Sequence, residues 1–152
     1  MLVDVNGSHK MADRIDALKS LHTALIDSRK GYEEALEDAE GKGLTPLFRE
    51  MVAMRVEHAD QLAGLLTAAG EKVDGDGSFM ALVHRAVISV RAAVTGLDES
   101  ILPGLIDGEE RIRGYYDDAL KEARPSELDV LKAQRRAVDR KIENMKQQTV
   151  AG

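Results

Sequence analysis

The chain has 152 residues, of which 43% are hydrophobic and 32% are charged, with a formal net charge of −6 and no cysteine. The lack of cysteine excludes disulfides, thiolate metal sites, cysteine nucleophiles and iron–sulfur clusters. An acidic chain with three Tyr, two Phe and no Trp lacks the basic surface and the stacking side chains of nucleic-acid binders. The length predicts one domain, and the composition favours an all-α protein.

Two features of the sequence bear on its location. No run of apolar residues is long enough to cross a membrane as a helix. The N-terminal stretch MLVDVNGSHKM lacks the basic region and apolar run of a signal peptide. We therefore expect a cytoplasmic protein that has no membrane partner.

Glycine, proline and capping residues divide the chain into five predicted helices. These helices span about 8–40, 45–69, 78–95, 98–123 and 126–148. Their predicted N-caps are Ser8, Thr45, Ser78, Asp98 and Ser126, the last forming a capping box with Asp129. Their predicted stops are Gly41 with Gly43, Gly70, Gly96, and Arg124 with Pro125. The sequence thus predicts one domain at 8–148, with flexible tails at 1–7 and 149–152.

In four of these helices the inward positions recur every three or four residues, which is typical of antiparallel bundle packing. In the fifth helix these positions are Leu128, Leu131, Arg135, Val138, Ile142 and Met145. The third helix has a broader apolar stripe, so we interpret it as a crossover that makes the second and fourth helices parallel. Two helix pairs joined in this way predict an all-α, ferritin-like, up-down four-helix bundle with an additional amphipathic crossover helix.

Four stretches of the sequence resemble a family of uncharacterised, stress-associated bacterial proteins. They are GYEEAL at 31–36, LFREMVAMRVEHADQL at 47–62, GSFMALVHRAVISVRAAVTGLDESIL at 77–102 and DGEERIRGYYDDAL at 107–120. The resemblance implies a ferritin-like four-helix bundle and carries no assigned activity.

A di-metal centre is the main catalytic hypothesis for such a bundle. It needs a Glu from each of two helices and a Glu-x-x-His motif from each of the other two. Glu109 and His58 occupy inward positions, but Arg55 and Arg135 occupy two others. A guanidinium stays protonated and repels a cation. We therefore expect no cofactor; the alternative is a single Fe, Mn or Zn ion at His58 and Glu109.

A lone buried carboxylate is costly, so Glu109 requires partners. The inward polar residues predict a core polar network with a structural role. Its members are Glu109, Arg55, Arg135, His58, Tyr32 and Tyr116.

With no complete catalytic set, the sequence favours a non-enzymatic bundle that associates with itself, as a homo-oligomer such as a dimer, or with a protein partner. The alternative function is a metal-binding carboxylate bundle with a degenerate or single-ion site. Nucleic-acid binding is the weakest hypothesis, because acidic residues are interspersed among the basic residues of the fifth helix.

Overall fold

The computed structural model describes residues 2–39, 41–73 and 99–151, and the side chains of 13–39, 41–73 and 100–149. Within these ranges the chain forms four α-helices and no strand, which confirms the all-α, four-helix prediction. The helices are α1 (Leu2–Ala39), α2 (Thr45–Ala68), α3 (Leu102–Glu122) and α4 (Pro125–Ala151), with a short 3-10 helix at Glu99–Ile101. The crossover helix predicted at 78–95, with Ser78, Gly96 and Asp98, lies outside the described residues.

None of the described helices is both long and apolar enough to cross a membrane.

Both ends of the chain are more helical than the sequence predicts. Helix α1 begins at Leu2, so the predicted cap at Ser8 is wrong. A single helical glycine such as Gly7 costs only about 1 kcal/mol relative to alanine, and no proline precedes Ser8 to end the helix. Helix α4 continues to Ala151, beyond the predicted end near 148. Residues 2–7 and 149–151, predicted as tails, therefore continue the helical backbone.

The turn between α1 and α2 contains Gly41 at φ 79° and Gly43 at φ 55°, in agreement with the predicted stop. The predicted cap at Thr45 is wrong by one position, because Leu44 is the N-cap and has no side-chain cap hydrogen bond. The Thr45 hydroxyl instead donates to the carbonyl oxygen of Lys42 at 2.7 Å, so it satisfies the turn rather than the helix.

The end of α2 confirms the prediction for Gly70. This residue has φ 86°, a conformation that favours glycine. Its N–H donates to the Thr67 carbonyl at 2.9 Å, and the Glu71 N–H donates to the Leu66 carbonyl at 3.0 Å. These two bonds form a Schellman motif, which satisfies the last carbonyls of the helix.

The junction of α3 and α4 lies where Arg124 and Pro125 predict it, but its cap differs. Helix α4 begins at Pro125, and the Arg124 N–H donates to Oε1 of Glu127 at 2.9 Å. The capping box predicted at Ser126 and Asp129 is therefore wrong. Proline is favoured in the first helical position, so the N-cap is Arg124, two residues before the predicted Ser126.

Side-chain contacts set the directions of the helices. Tyr32 packs against Phe48, with ring centroids 6.1 Å apart, on either side of the α1–α2 turn. Tyr32 also bonds Glu109 of α3, while Arg14, nearer the start of α1, pairs with Glu127 at the start of α4. Helix α1 is thus antiparallel to both α2 and α3. Helices α2 and α3 consequently run parallel, as the sequence predicts.

The core between these helices is apolar over most of its length. Its largest fully buried apolar side chains include Leu18, Leu21, Leu25, Phe48, Met51, Leu62, Leu102 and Leu131. The candidate site is the polar interruption of this core.

Candidate functional site

The site centres on Glu109, which α3 carries into the core between Leu105 and Ile112. Nη2 of Arg55 on α2 donates a hydrogen bond to Oε1 of Glu109 and forms an ion pair with it. Its Oε2 accepts a hydrogen bond from the hydroxyl of Tyr32 on α1 at 2.9 Å. Three helices therefore meet at one carboxylate, and both of its oxygen atoms are engaged.

Burial and charge determine the protonation of the groups around Glu109. Burial is the largest single influence and lowers the pKa of Arg55, but the attraction and hydrogen bond of Glu109, together with Tyr32 and Tyr116, raise the pKa above its ordinary value. Burial, reinforced by the negative charge of Glu109, raises the pKa of Tyr32 well above its ordinary value. At neutral pH Arg55 is therefore a cation, and Tyr32 is a neutral hydrogen-bond donor.

A second set of polar contacts includes Tyr116 on α3. Burial raises the pKa of Tyr116, and its hydroxyl donates to Oε1 of Gln134 on α4 at 2.7 Å. Nε2 of Gln134 donates to the carbonyl oxygen of His58 at 3.3 Å and to Oε1 of Gln61 at 2.8 Å. Gln134 thus links α3, α4 and α2.

Arg135 lies outside the core, which corrects its place in the predicted network. Its side chain is 33% exposed; Nε bonds Asp117 at 2.6 Å, and Nη1 bonds Asp139 at 2.9 Å. The neighbouring Gln134 occupies the buried position instead, with 2% exposure. A neutral amide is cheaper to bury there than a second guanidinium, since Arg55 already neutralises Glu109. The sequence reasoning missed Gln134.

His58 lies one helical turn after Arg55 on the buried face of α2. Burial, with a smaller contribution from the positive charge of Arg55, lowers the pKa of His58 to about 4. The imidazole is therefore neutral at pH 7. Its Nδ1 is buried without a hydrogen-bond partner, as are Nε and Nη1 of Arg55.

The described side chains do not form the ligand set of a ferritin-type metal centre. Among them, no three His, Asp or Glu residues lie close enough together to hold a metal ion. Glu109 already accepts bonds from Tyr32 and Arg55, and a cation bound there would face the positive charge of Arg55.

A second buried ion pair was not predicted from the sequence. Arg14 of α1 pairs with Oε2 of Glu127, and both side chains are 6% exposed. The other carboxylate oxygen of Glu127 accepts the Arg124 N–H at 2.9 Å. A Glu at the third position of a helix, here counted from Pro125 as the first, is a recognisable capping signal, but its pairing with Arg14 depends on the tertiary fold.

A family model described as "Domain of unknown function (DUF2383)" matches residues 13–122. The match spans α2, α3 and α1 from Asp13 onward, and so includes Tyr32, Arg55, His58, Glu109 and Tyr116. No curated protein and no solved structure matches the chain.

Proposed function

We propose that this chain, which belongs to the DUF2383 family, is a non-enzymatic, ferritin-like bundle that acts by self-association as a dimer. The observation that carries the non-enzymatic part of this proposal is the engagement of both Glu109 oxygens by Arg55 and Tyr32. The antiparallel helix pairs, with α2 parallel to α3, support the ferritin-like build. The resemblance of the sequence supports a stress-related role.

The contacts of Glu109 with Arg55 and Tyr32 support a structural rather than a catalytic role for this residue. A catalytic carboxylate must be able to receive a proton, a metal or a substrate atom. Glu109 is 1% exposed, and its positive and hydroxyl partners both come from the protein itself. Such a cluster fixes how three helices meet, which is a known use of buried ionic groups.

The contact surface of the dimer is assigned from the sequence. Among the described side chains, the exposed large hydrophobic residues are Val56 on α2 and Tyr115 on α3, and single exposed residues of this kind are common on monomers. The apolar stripe predicted for the crossover helix is a larger candidate. It contains Phe79, Leu82, Val83, Ala86, Val87, Val90, Ala93 and Val94.

Light scattering coupled to gel filtration tests this proposal. We expect a mass twice the chain mass of 16.6 kDa, falling toward the monomer on dilution. Val87→Glu should yield a monomer, whereas Ala92→Glu, which adds the same charge on the side of the predicted helix opposite the stripe, should remain dimeric. Circular dichroism confirms that both variants are folded. A wild-type monomer at every concentration overturns self-association, and a dimeric Val87→Glu variant overturns the assigned surface.

The second candidate is a single-ion metal site at His58 and Glu109. The observation that favours it is the neutral imidazole of His58, whose Nδ1 has no hydrogen-bond partner. Elemental analysis of protein purified without chelator, followed by titration with Fe²⁺, Mn²⁺ and Zn²⁺, tests it. We expect no stoichiometric metal. One bound equivalent that is lost in folded His58→Gln would replace our proposal with a metal-binding function.

A further inference from the structure

The contact between α2 and α4, here called the α2–α4 seam, differs from the other helix contacts. The backbones of α2 and α4 approach each other closely at few positions, whereas α1 with α2 and α3 with α4 approach along their length. Polar side chains bridge the seam. Gln134 bonds the His58 carbonyl and Gln61, while Lys141 pairs with Glu50 at 2.6 Å.

Two of these bridges are partly exposed to water, whereas the bond from Gln134 to the His58 carbonyl is buried. Gln61 is exposed, and the side chains of Lys141 and Glu50 are 21% and 62% exposed. Water competes for the hydrogen bonds of exposed groups, and exposed ion pairs add little to stability. The bond to Gln61 and the Glu50–Lys141 pair are therefore inexpensive to exchange for water.

Three polar atoms on the buried face of α2 lack a hydrogen-bond partner. Nε and Nη1 of Arg55 and Nδ1 of His58 are buried without a partner, and both residues belong to the buried face of α2. The remaining buried atom without a hydrogen bond among the described side chains is Nε of Arg29, and it forms an ion pair with Oε1 of Glu33 at 3.2 Å on α1. Burying a polar atom without a hydrogen bond costs free energy, which is recovered when water reaches it.

A cleft lies at one end of the seam. It has a volume of about 420 Å³ and lies between the start of α2 and the end of α4. It is lined by Pro46, Leu47, Glu50, Lys141, Asn144, Gln147 and Gln148. The Glu50–Lys141 pair therefore stands at the boundary between the open cleft and the closed seam.

We propose that the bundle opens along the α2–α4 seam, from the cleft toward Gln134, and that opening admits water to Arg55 and His58. Opening exchanges the bonds of Gln134 and the Glu50–Lys141 pair for bonds to water. It also hydrates the three unpartnered nitrogen atoms. The α1–α2 and α3–α4 pairs remain intact as two helical hairpins.

Cysteine labelling under native conditions tests this proposal, since the chain has no cysteine of its own. Val138 is fully buried and lies between Gln134 and Lys141 on the α4 face that meets α2. The seam probe is Val138→Cys, and the matched control is Ala35→Cys, since Ala35 of α1 is 1% exposed. Rates are divided by that of the same thiol in denaturant, and melting curves confirm that each variant folds.

We expect Val138→Cys to react at least about tenfold faster than Ala35→Cys, which corresponds to ~1.4 kcal/mol in opening free energy. Met145→Cys, nearer the cleft, is a second probe that should react at least as fast, and it serves alone if Val138→Cys does not fold. Equal rates at the seam and control positions overturn the proposal, because they show that the core is exposed by global unfolding.

A cross-link distinguishes opening at this seam from opening elsewhere. A short bismaleimide joining Glu50→Cys to Lys141→Cys is installed before the buried probe thiol is exposed to the labelling reagent. It should slow labelling of that probe about tenfold. The same linker between Lys19→Cys and Glu71→Cys, an exposed pair that joins α1 to the end of α2, should leave the rate unchanged. A rate that responds to both linkers, or to neither, overturns the proposal.

Discussion

Replacing Arg55 with methionine removes one charge from a fully buried pair. The side chains of Arg55 and Glu109 are 0% and 2% exposed, so neither charge has water available after its partner is lost. Breaking such a pair costs about 3–5 kcal/mol, because the remaining charge is buried without compensation. Tyr32 still donates to Glu109 at 2.9 Å, which makes the lower half of that range the better expectation for Arg55→Met.

Replacing the whole cluster should have a very different effect. In the triple variant Tyr32→Phe, Arg55→Met, Glu109→Leu, no ionised group of the Arg55–Glu109 pair remains. The unpartnered Nε and Nη1 of Arg55 also disappear, and each unsatisfied atom costs about 1–3 kcal/mol. Apolar replacements of buried ion pairs range from neutral to about 4 kcal/mol stabilising. We expect the triple variant to be at least as stable as the wild type.

Urea unfolding followed by circular dichroism measures these differences as free energies of unfolding. The control is Glu50→Gln, which removes the exposed pair with Lys141 and should cost less than about 1 kcal/mol. An Arg55→Met variant that costs no more than Glu50→Gln would show that Glu109 is not left as an uncompensated buried charge. A triple variant as unstable as Arg55→Met would show that the three side chains stabilise the fold beyond their own desolvation.

Three further predictions concern single residues. The pKa of His58 is about 4 in the fold against 6.5 in the unfolded chain, so the free energy of unfolding should fall by about 3 kcal/mol as the pH drops from 6.5 to 4. Urea titrations should show a smaller fall for His58→Gln. Gly70→Ala, at φ 86°, should lower the melting temperature, whereas Gly64→Ala should gain up to about 1 kcal/mol, because its added Cβ meets nothing within 4 Å. Glu127→Gln leaves buried Arg14 without a charged partner, so the free energy of unfolding measured in urea should fall by about 3 kcal/mol. A fall of less than about 1 kcal/mol would contradict the cost expected for an unpaired buried charge.

The sequence predicts the parts of the fold that depend on local chemistry. Gly70 ends α2 because few other residues adopt its positive φ, and Pro125 ends α3 because proline cannot continue a helix. The exact first residues are harder to predict. Thr45 has the right chemistry for a cap, yet its hydroxyl bonds the Lys42 carbonyl, a choice that only the turn geometry decides.

The polar cluster is predictable in part, for an electrostatic reason. Glu109 occupies an inward position and needs a cation, and Arg55 is the inward cation on a helix that reaches it. The pairing of Glu109 with Tyr32 follows from the same inward spacing on α1. In contrast, the role of Gln134 depends on the rotation of α4 about its own axis. The sequence does not decide whether that rotation places Gln134 or Arg135 in the core.

Hydrophobic periodicity alone does not decide whether Gln134 or Arg135 occupies the inward position of α4. One inward position lies between Leu131 and Val138, and a helix allows it to be three or four residues after Leu131. The first choice is Gln134, and the second is Arg135. Charge balance separates the two choices. One buried carboxylate is neutralised by one guanidinium, so burying Arg135 beside Arg55 would leave an uncompensated charge in the core. Asp139, four residues after Arg135, offers that guanidinium a partner at the surface, and the structure shows this pair at 2.9 Å. Counting the buried charges before assigning the helix face would therefore have selected Gln134.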